Sequence, residues 1–309
     1  MLELYTENKD IDKVSALKRE MEYFNIHIGE LKYGLDNTGF VIDKENQCIN
    51  QSLKTVKFIN SQNAEDMVLL REQKLSFPQL IVEIKENTSL NSRQLETLIK
   101  LDYFKQFGSI KKCLTFLEYY VRISKKTYKL DKIDKDLEKY FTMGFTSQVV
   151  KKEIRINKEL WNGKDKIIKE TKKGYTIERD VKVVFYPLCE KTKTMYKNIN
   201  KEIVLNSIWN DLSDEEFDVI DLMRFSKEYL GYITEIPNDI SIGQVEMVSI
   251  KNNSANIKSL RTSENRWFKF KKIECSLPKK GETIIIQDMY KKSGWKGRID
   301  SYIKRYEKL

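Results

Sequence analysis

The chain has 309 residues, 40% hydrophobic and 33% charged, with a formal net charge of +10, 12 glycines and four prolines, which points to two or three ordered domains rather than a disordered or linker-rich chain. Its longest apolar runs, such as Val183-Val184-Phe185 and Ile284-Ile285-Ile286, are too short to span a bilayer, and Met1-Leu2-Glu3-Leu4 has no signal-peptide character, so a cytoplasmic protein without a membrane partner is expected. Cys48, Cys113, Cys189 and Cys275 are scattered and His27 is the one histidine, so neither a disulfide framework, a zinc site, a His-based triad nor any cofactor is expected.

In chain order, Val14, Leu17, Met21 and Phe24 predict a helix over 10–26. An irregular, strand-containing stretch follows to about Asn50. Leu53, Val56, Ile59, Ala64, Met67 and Leu70 predict two short helices broken near Asn60. Phe77-Pro78 opens another helix, with proline at a tolerated first-turn position. Asn91 or Ser92 caps a helix that carries Leu95, Leu98, Ile99 and Tyr103 on one face. After Gly108 a helix from Ser109 places Ile110, Cys113, Leu114, Leu117 and Val121 inside. A shorter helix covers Leu130 to Phe141. Between 145 and 190 the pattern is ambiguous, with a strand expected from Val181 to Tyr186. Helices return from Tyr196 to Tyr229, the last capped by Asp214 or Ser213.

After Leu230-Gly231-Tyr232 the period changes to two, with candidate strands at 230–235, 242–250, 255–262, 266–274 and 283–290. Five short strands predict a small antiparallel barrel of the OB type, which often binds oligonucleotides. The expected fold is α+β: a mostly helical N-terminal part, then a five-stranded barrel.

Charge is distributed unevenly. From Lys251 to Leu309 there are 16 basic and six acidic residues, a net +10, whereas the first 250 residues carry 40 of each. Excess positive charge confined to one domain is the footprint of phosphate binding. In Arg266-Trp267-Phe268-Lys269-Phe270-Lys271, strand alternation puts Phe268 and Phe270 on a core face and Trp267, Lys269 and Lys271 on the other. An aromatic ring between cations suits a single strand, whose bases stack while its phosphates meet the ammonium groups. Tyr290, Lys291, Lys292, Trp295, Lys296 and Arg298 form a second such cluster, expected in the final turn and tail.

Several segments resemble the C-terminal region of the bacterial family C replicative polymerase, the DNA polymerase III alpha subunit. Lys18 to Ile26 resembles the end of that family's fingers. Ser52-Leu53-Lys54-Thr55-Val56-Lys57-Phe58-Ile59-Asn60 stands where the family has a G-L-x-x-I-K-G-V-G helix-hairpin-helix. Leu90 to Lys100 resembles its N-x-R-x-L-E-x-L-I-K segment, and Tyr229-Leu230-Gly231-Tyr232 its entry to the barrel. The resemblance implies a fingers-end segment at 1–50, a helix-hairpin-helix domain at 51–125, a mixed helical connector at 126–225 and a basic OB-like barrel at 226–309. It implies binding of single-stranded or primer-template DNA during replication, with Lys57 and Asn60 as hairpin contacts. It also implies a partner chain carrying the catalytic palm, because the palm carboxylates lie upstream of the matched region; no catalysis by this chain alone is expected. Phe58-Ile59-Asn60 replaces the family's Gly-Val-Gly at the first hairpin turn, where Asn60 tolerates the left-handed conformation but Phe58 adds bulk, and Leu101-Asp102 stands where glycine is usual at the second; Asp102 repels phosphate, so both hairpins are expected to be mainly structural.

Two other readings follow from the residues. One is an independent single-stranded nucleic-acid-binding protein. The other is a metal-dependent nuclease, because Leu80-Ile81-Val82-Glu83-Ile84-Lys85 resembles an E-x-K nuclease strand with Asp66 as the upstream carboxylate. The nuclease needs a strand at 80–85; an amphipathic helix there, begun by Phe77-Pro78, removes it.

Overall fold

The structure is a computed structural model that describes residues 4–5, 13, 17, 20–21, 24–35, 38–71, 73–123, 125, 127–271, 275–293 and 299–309. The fold is α+β and contains a closed five-stranded barrel. Among the described residues there are seven α-helices, none long and apolar enough to cross a membrane. The chain divides into two compact units. One gathers Met1–Lys74, Ile84–Lys111 and Glu215–Leu309; the other gathers Leu75–Glu83 and Lys112–Asp214.

In the first unit, strands β1 (His27–Ile28), β2 (Val41–Asp43) and β3 (Cys48–Asn50) form a small sheet in the order β1-β3-β2. Most of the expected helix at 10–26 lies outside the described residues, although Lys13, Leu17, Glu20 and Met21 are helical. The expected break near Asn60 is real. A 3-10 turn at Leu53–Thr55 precedes helix α1 (Ser61–Leu70), and the Asn60 side chain accepts from the Asn63 backbone N–H. Helix α2 is Phe77–Asn87, its residues to Glu83 belonging to the second unit and those from Ile84 to the first, and helix α3 is Ser92–Lys100, with Asn91 and Gln94 completing a capping box. Such caps satisfy N–H groups that the first helical turn leaves unbonded.

Gln94 also reaches outward from α3. Its Nε2 donates to the Phe58 carbonyl and to Asn63 Oδ1, at 2.8 Å each. This buried amide holds the turn before α1 against α3. Phe58 needs such support because it sits at φ 73, a left-handed conformation that costs a bulky residue about 1–2 kcal/mol. Asp102, at the turn after α3, is likewise left-handed at φ 59.

In the second unit, helix α4 (Ile110–Arg122) supplies Phe116, which with Phe77 and Trp209 forms a ring cluster with centroids 4.7–5.6 Å apart. Val121 is 50% exposed, contrary to expectation, and Phe116 fills the interior position instead. Strand β4 (Thr127–Lys129) and helix α5 (Lys135–Phe141) follow. The mixed helical connector expected next is instead rich in strand. Strands β5 (Thr146–Ile156), β6 (Lys166–Thr171) and β7 (Gly174–Phe185) form an antiparallel sheet in the order β5-β7-β6. Its faces are largely open to solvent, so its sequence lacks the apolar-polar alternation of a half-buried strand. Strands β8 (Glu190–Lys191) and β9 (Met195–Lys197) pair beside β4, and helix α6 spans Lys201–Asp211.

Helix α7 (Val219–Leu230) returns to the first unit. Its cap is Asp218, not Asp214 or Ser213, and it ends at Gly231, whose φ of 83 suits glycine. The turn after Gly231 displaces the first expected barrel strand, since residues 232–240 form no strand. The barrel is built from β10 (Ser241–Ser249), β11 (Ser254–Ser259), β12 (Asn265–Phe270), β13 (Thr283–Ser293) and β14 (Ile299–Lys308), closed in the order β10-β11-β12-β14-β13. All neighbours are antiparallel except β12 and β14, which are parallel. The fifth strand is therefore the chain's last segment, where the sequence predicts a tail. Val245, Ala255, Ile257, Phe268, Phe270, Ile284 and Ile303 fill the barrel, and Met223 of α7 packs on Ile242 and Ile285. A Cβ on Gly243 would stand 2.8 Å from the Lys258 carbonyl oxygen, so β10 and β11 can approach this closely only with glycine there.

Two outcomes test this packing. Gln94→Ala removes the donor to the Phe58 carbonyl and the acceptor of the Asn91 N–H, and should lower stability by about 1–3 kcal/mol in urea unfolding; an unchanged midpoint would show the bridge is dispensable. Burial first, then Glu216 and Glu30 against the opposing pull of Lys105, pushes the Asp102 carboxyl up to about 6. A carboxyl whose folded pKa exceeds its unfolded one favours folding while protonated, and that benefit is lost as pH rises through 6. Asp102→Asn should therefore leave the melting temperature little changed near pH 4 and raise it above the wild type at pH 7; parallel pH profiles would refute this.

Candidate nucleic-acid interface

Strand β12 settles the expected alternation. Phe268 and Phe270 are 8% and 3% exposed inside the barrel, while Trp267 is 47% exposed on the outside. Burying each Phe stabilises the fold by about 1.5–3 kcal/mol. Turning the strand over would bury two ammonium groups, at a cost of several kcal/mol per ion. The outward row of Trp267, Lys269 and Lys271 is thus fixed by the inward row.

Pairing extends this face onto the last hairpin. Lys269 lies opposite Tyr302 of β14, and Tyr302 lies opposite Tyr290 of β13. The two tyrosine rings stack with centroids 5.1 Å apart and an 11° interplanar angle. Lysines surround the pair: Lys271 Nζ is 5.1 Å from the Tyr290 centroid, Lys304 Nζ 5.3 Å from it, and Lys269 Nζ 5.8 Å from the Tyr302 centroid. Cations at this distance from a ring face are attracted by its quadrupole. Lys269 is also held 2.6 Å from Asp300, and Lys304 is 3.9 Å from Asp288, so carboxylates partly neutralise the surface. The Tyr290 hydroxyl is shielded from solvent and has no hydrogen-bond partner among the described residues. Opposite Trp267 on β11 is Asn256, 8% exposed, whose Oδ1 also has no partner among the described residues.

The two expected clusters therefore merge in part. Tyr290 joins Trp267, Lys269 and Lys271, and Lys292, opposite Asp300, shares the face of Tyr290. Lys291 is the exception: it pairs with Ser301 and points to the other side, where it lines a cavity of about 300 Å³ with Arg266, Phe268 and Met289. Trp295, Lys296 and Arg298 lie outside the described residues. Tyr302, Lys304 and Asp300 were missed, although Tyr302 and Lys304 flank the buried Ile303 in a period of two; Tyr306 instead packs against the barrel core.

The other candidates fall elsewhere. Asn60 is occupied as the cap of α1. Lys57 is exposed, with Nζ 5.1 Å from the Phe58 ring, and Arg93 covers the same ring at 3.9 Å. The nuclease strand is helix α2. The Asp66 carboxylate accepts from the Ser89 backbone and hydroxyl and from Gln62, and these hydrogen bonds outweigh its burial and lower its pKa. Lys85 Nζ donates to Ser92. Asp66 thus anchors the turn between α2 and α3, and among the described residues no group of three or more His, Cys, Asp or Glu side chains is placed to hold a metal ion. The cysteines are all unbridged.

No protein-family model matches this chain, and no curated protein matches it.

Proposed function

We propose that the chain binds single-stranded DNA on the outer face of its barrel and serves DNA replication. The observation that carries this reading is the gathering of Trp267, Tyr290 and Tyr302 with Lys269, Lys271, Lys292 and Lys304 on one solvent-facing surface. Ring faces accept any base by stacking, and ammonium groups meet the phosphates between them. The strand order supports an OB-like barrel: the first strand lies between the second and fourth, and the third runs parallel beside the fifth. Barrels of that type bind oligonucleotides across strands two and three; of these, β12 supplies Trp267, Lys269 and Lys271, and the rest of the proposed face lies on β13 and β14.

The likeness to the C-terminal region of the DNA polymerase III alpha family draws support from the hairpin turns. Phe58 and Asp102, at turns where that family has glycine, adopt the left-handed conformation glycine favours, whereas Asn60, at the family's second glycine of the first turn, is extended at φ -108. A left-handed residue at each turn is what a helix-hairpin-helix would require there, and it supports the reading without glycine. On this reading the chain works beside a palm-containing polymerase chain, and co-purification from the native cell is the check on that partner.

The direct test is oligothymidine binding. Stacking contributes roughly 1–3 kcal/mol per base, so Trp267→Ala should weaken binding by about fivefold to more than a hundredfold. Lys271→Gln leaves one phosphate without its cation and should flatten the salt dependence by roughly 0.7. Wild-type affinity and slope in both variants would remove the barrel face from the account.

A further inference from the structure

The near-zero charge of the first 250 residues conceals a basic segment. Between Thr146 and Phe185 there are 11 Lys/Arg and six Asp/Glu, a net +5. This is the β5-β7-β6 sheet, whose longest strand of 12 residues extends about 40 Å at the usual rise. Among its strand residues only Gly174 and Ile177 are buried. So long an arm with so little interior adds little to a core of its own.

Three of its cations are neutralised: Lys151 by Glu178, Lys158 by Glu170 and Arg179 by Asp165. The other eight have no carboxylate within ion-pair distance among the described residues. Register gathers four of these at one end. Arg155 and Lys169 both lie opposite Thr176, one on each side of β7, and Lys172 and Lys173 make the turn from β6 into β7. All four are exposed.

The surroundings narrow the class of partner. Lysines along β5 and β6 oppose strand addition by another protein at these edges. The rings at this end, Trp161 and Tyr175, pack edge to face at 5.6 Å, and Trp161 Nε1 donates to the Asp165 carbonyl, so both are engaged within the arm rather than set out for base stacking. Three strands span about 10 Å between their outer backbones, and side chains widen them beyond what a major groove of about 12 Å readily admits. Such a sheet lies across phosphates, where contacts position a duplex without reading its sequence.

We propose that this basic end of the arm binds the phosphate backbone of duplex DNA. The assignment is independent of single-strand binding by the barrel. It is tested by titrating the full chain with a labelled DNA duplex and with oligothymidine over a series of salt concentrations. The variants are Arg155→Gln/Lys169→Gln/Lys172→Gln/Lys173→Gln and the milder Lys172→Gln/Lys173→Gln, which leaves the strands untouched if the fourfold change unfolds the chain. The log–log salt slope for duplex should become shallower by about 0.9 for each phosphate no longer neutralised, with oligothymidine affinity retained. An unchanged duplex slope, absence of duplex binding by the wild type, or an equal loss on oligothymidine would overturn the proposal. If Trp267→Ala proved silent while the arm variants lost duplex binding, the barrel reading would fail and the arm would stand.

Discussion

The candidate interface depends on the pleat of one strand inside a closed barrel. Phe268 and Phe270 must face inward because Val245, Ile284 and Ile303 converge on the same interior. A pleated strand cannot turn one face in without turning the other out, and a one-residue slip would reverse both. Trp267, Lys269 and Lys271 are displayed because two phenylalanines are buried. The parallel register of β12 with β14 then brings Tyr302 beside Lys269, and the hairpin of β13 with β14 brings Tyr290 onto Tyr302.

The balance of charge on that face is finer than the sequence total suggests. Asp300 sits against Lys269 and Asp288 near Lys304, while Lys271 leans over both tyrosines. Exposed ion pairs of this kind contribute little to stability, so their larger effect is on the electrostatic potential of the surface. The exposed ring of Trp267 adds what charge alone lacks, a flat apolar area.

Legibility from sequence followed how each element is solvated. Helix α3 was readable because its cap, Asn91, and its buried Leu95, Leu98 and Ile99 agree with the helical period. Strand β12 was readable because one face is buried and the other wet. Of strands β5, β6 and β7 only the end of β7 was, in the strand expected from Val181 to Tyr186; the rest was not, because the faces are largely open to water and no apolar period marks them. Strand β14 was hidden by its lysines and arginine, which read as a tail although Ile303 is fully buried. The swap of a strand at 230–235 for one at 299–308 left the number of barrel strands right and their membership wrong. It also concealed Tyr302, which only the β13–β14 register places beside Tyr290.

Photocrosslinking tests the central claim most directly. Full-length protein is irradiated with an oligothymidine carrying bromodeoxyuridine, and the adducts are mapped by mass spectrometry. The account predicts adducts on the peptides containing Trp267, Tyr290 and Tyr302, abolished when unlabelled oligothymidine competes. Competed adducts found only outside β11 to β14 would contradict it.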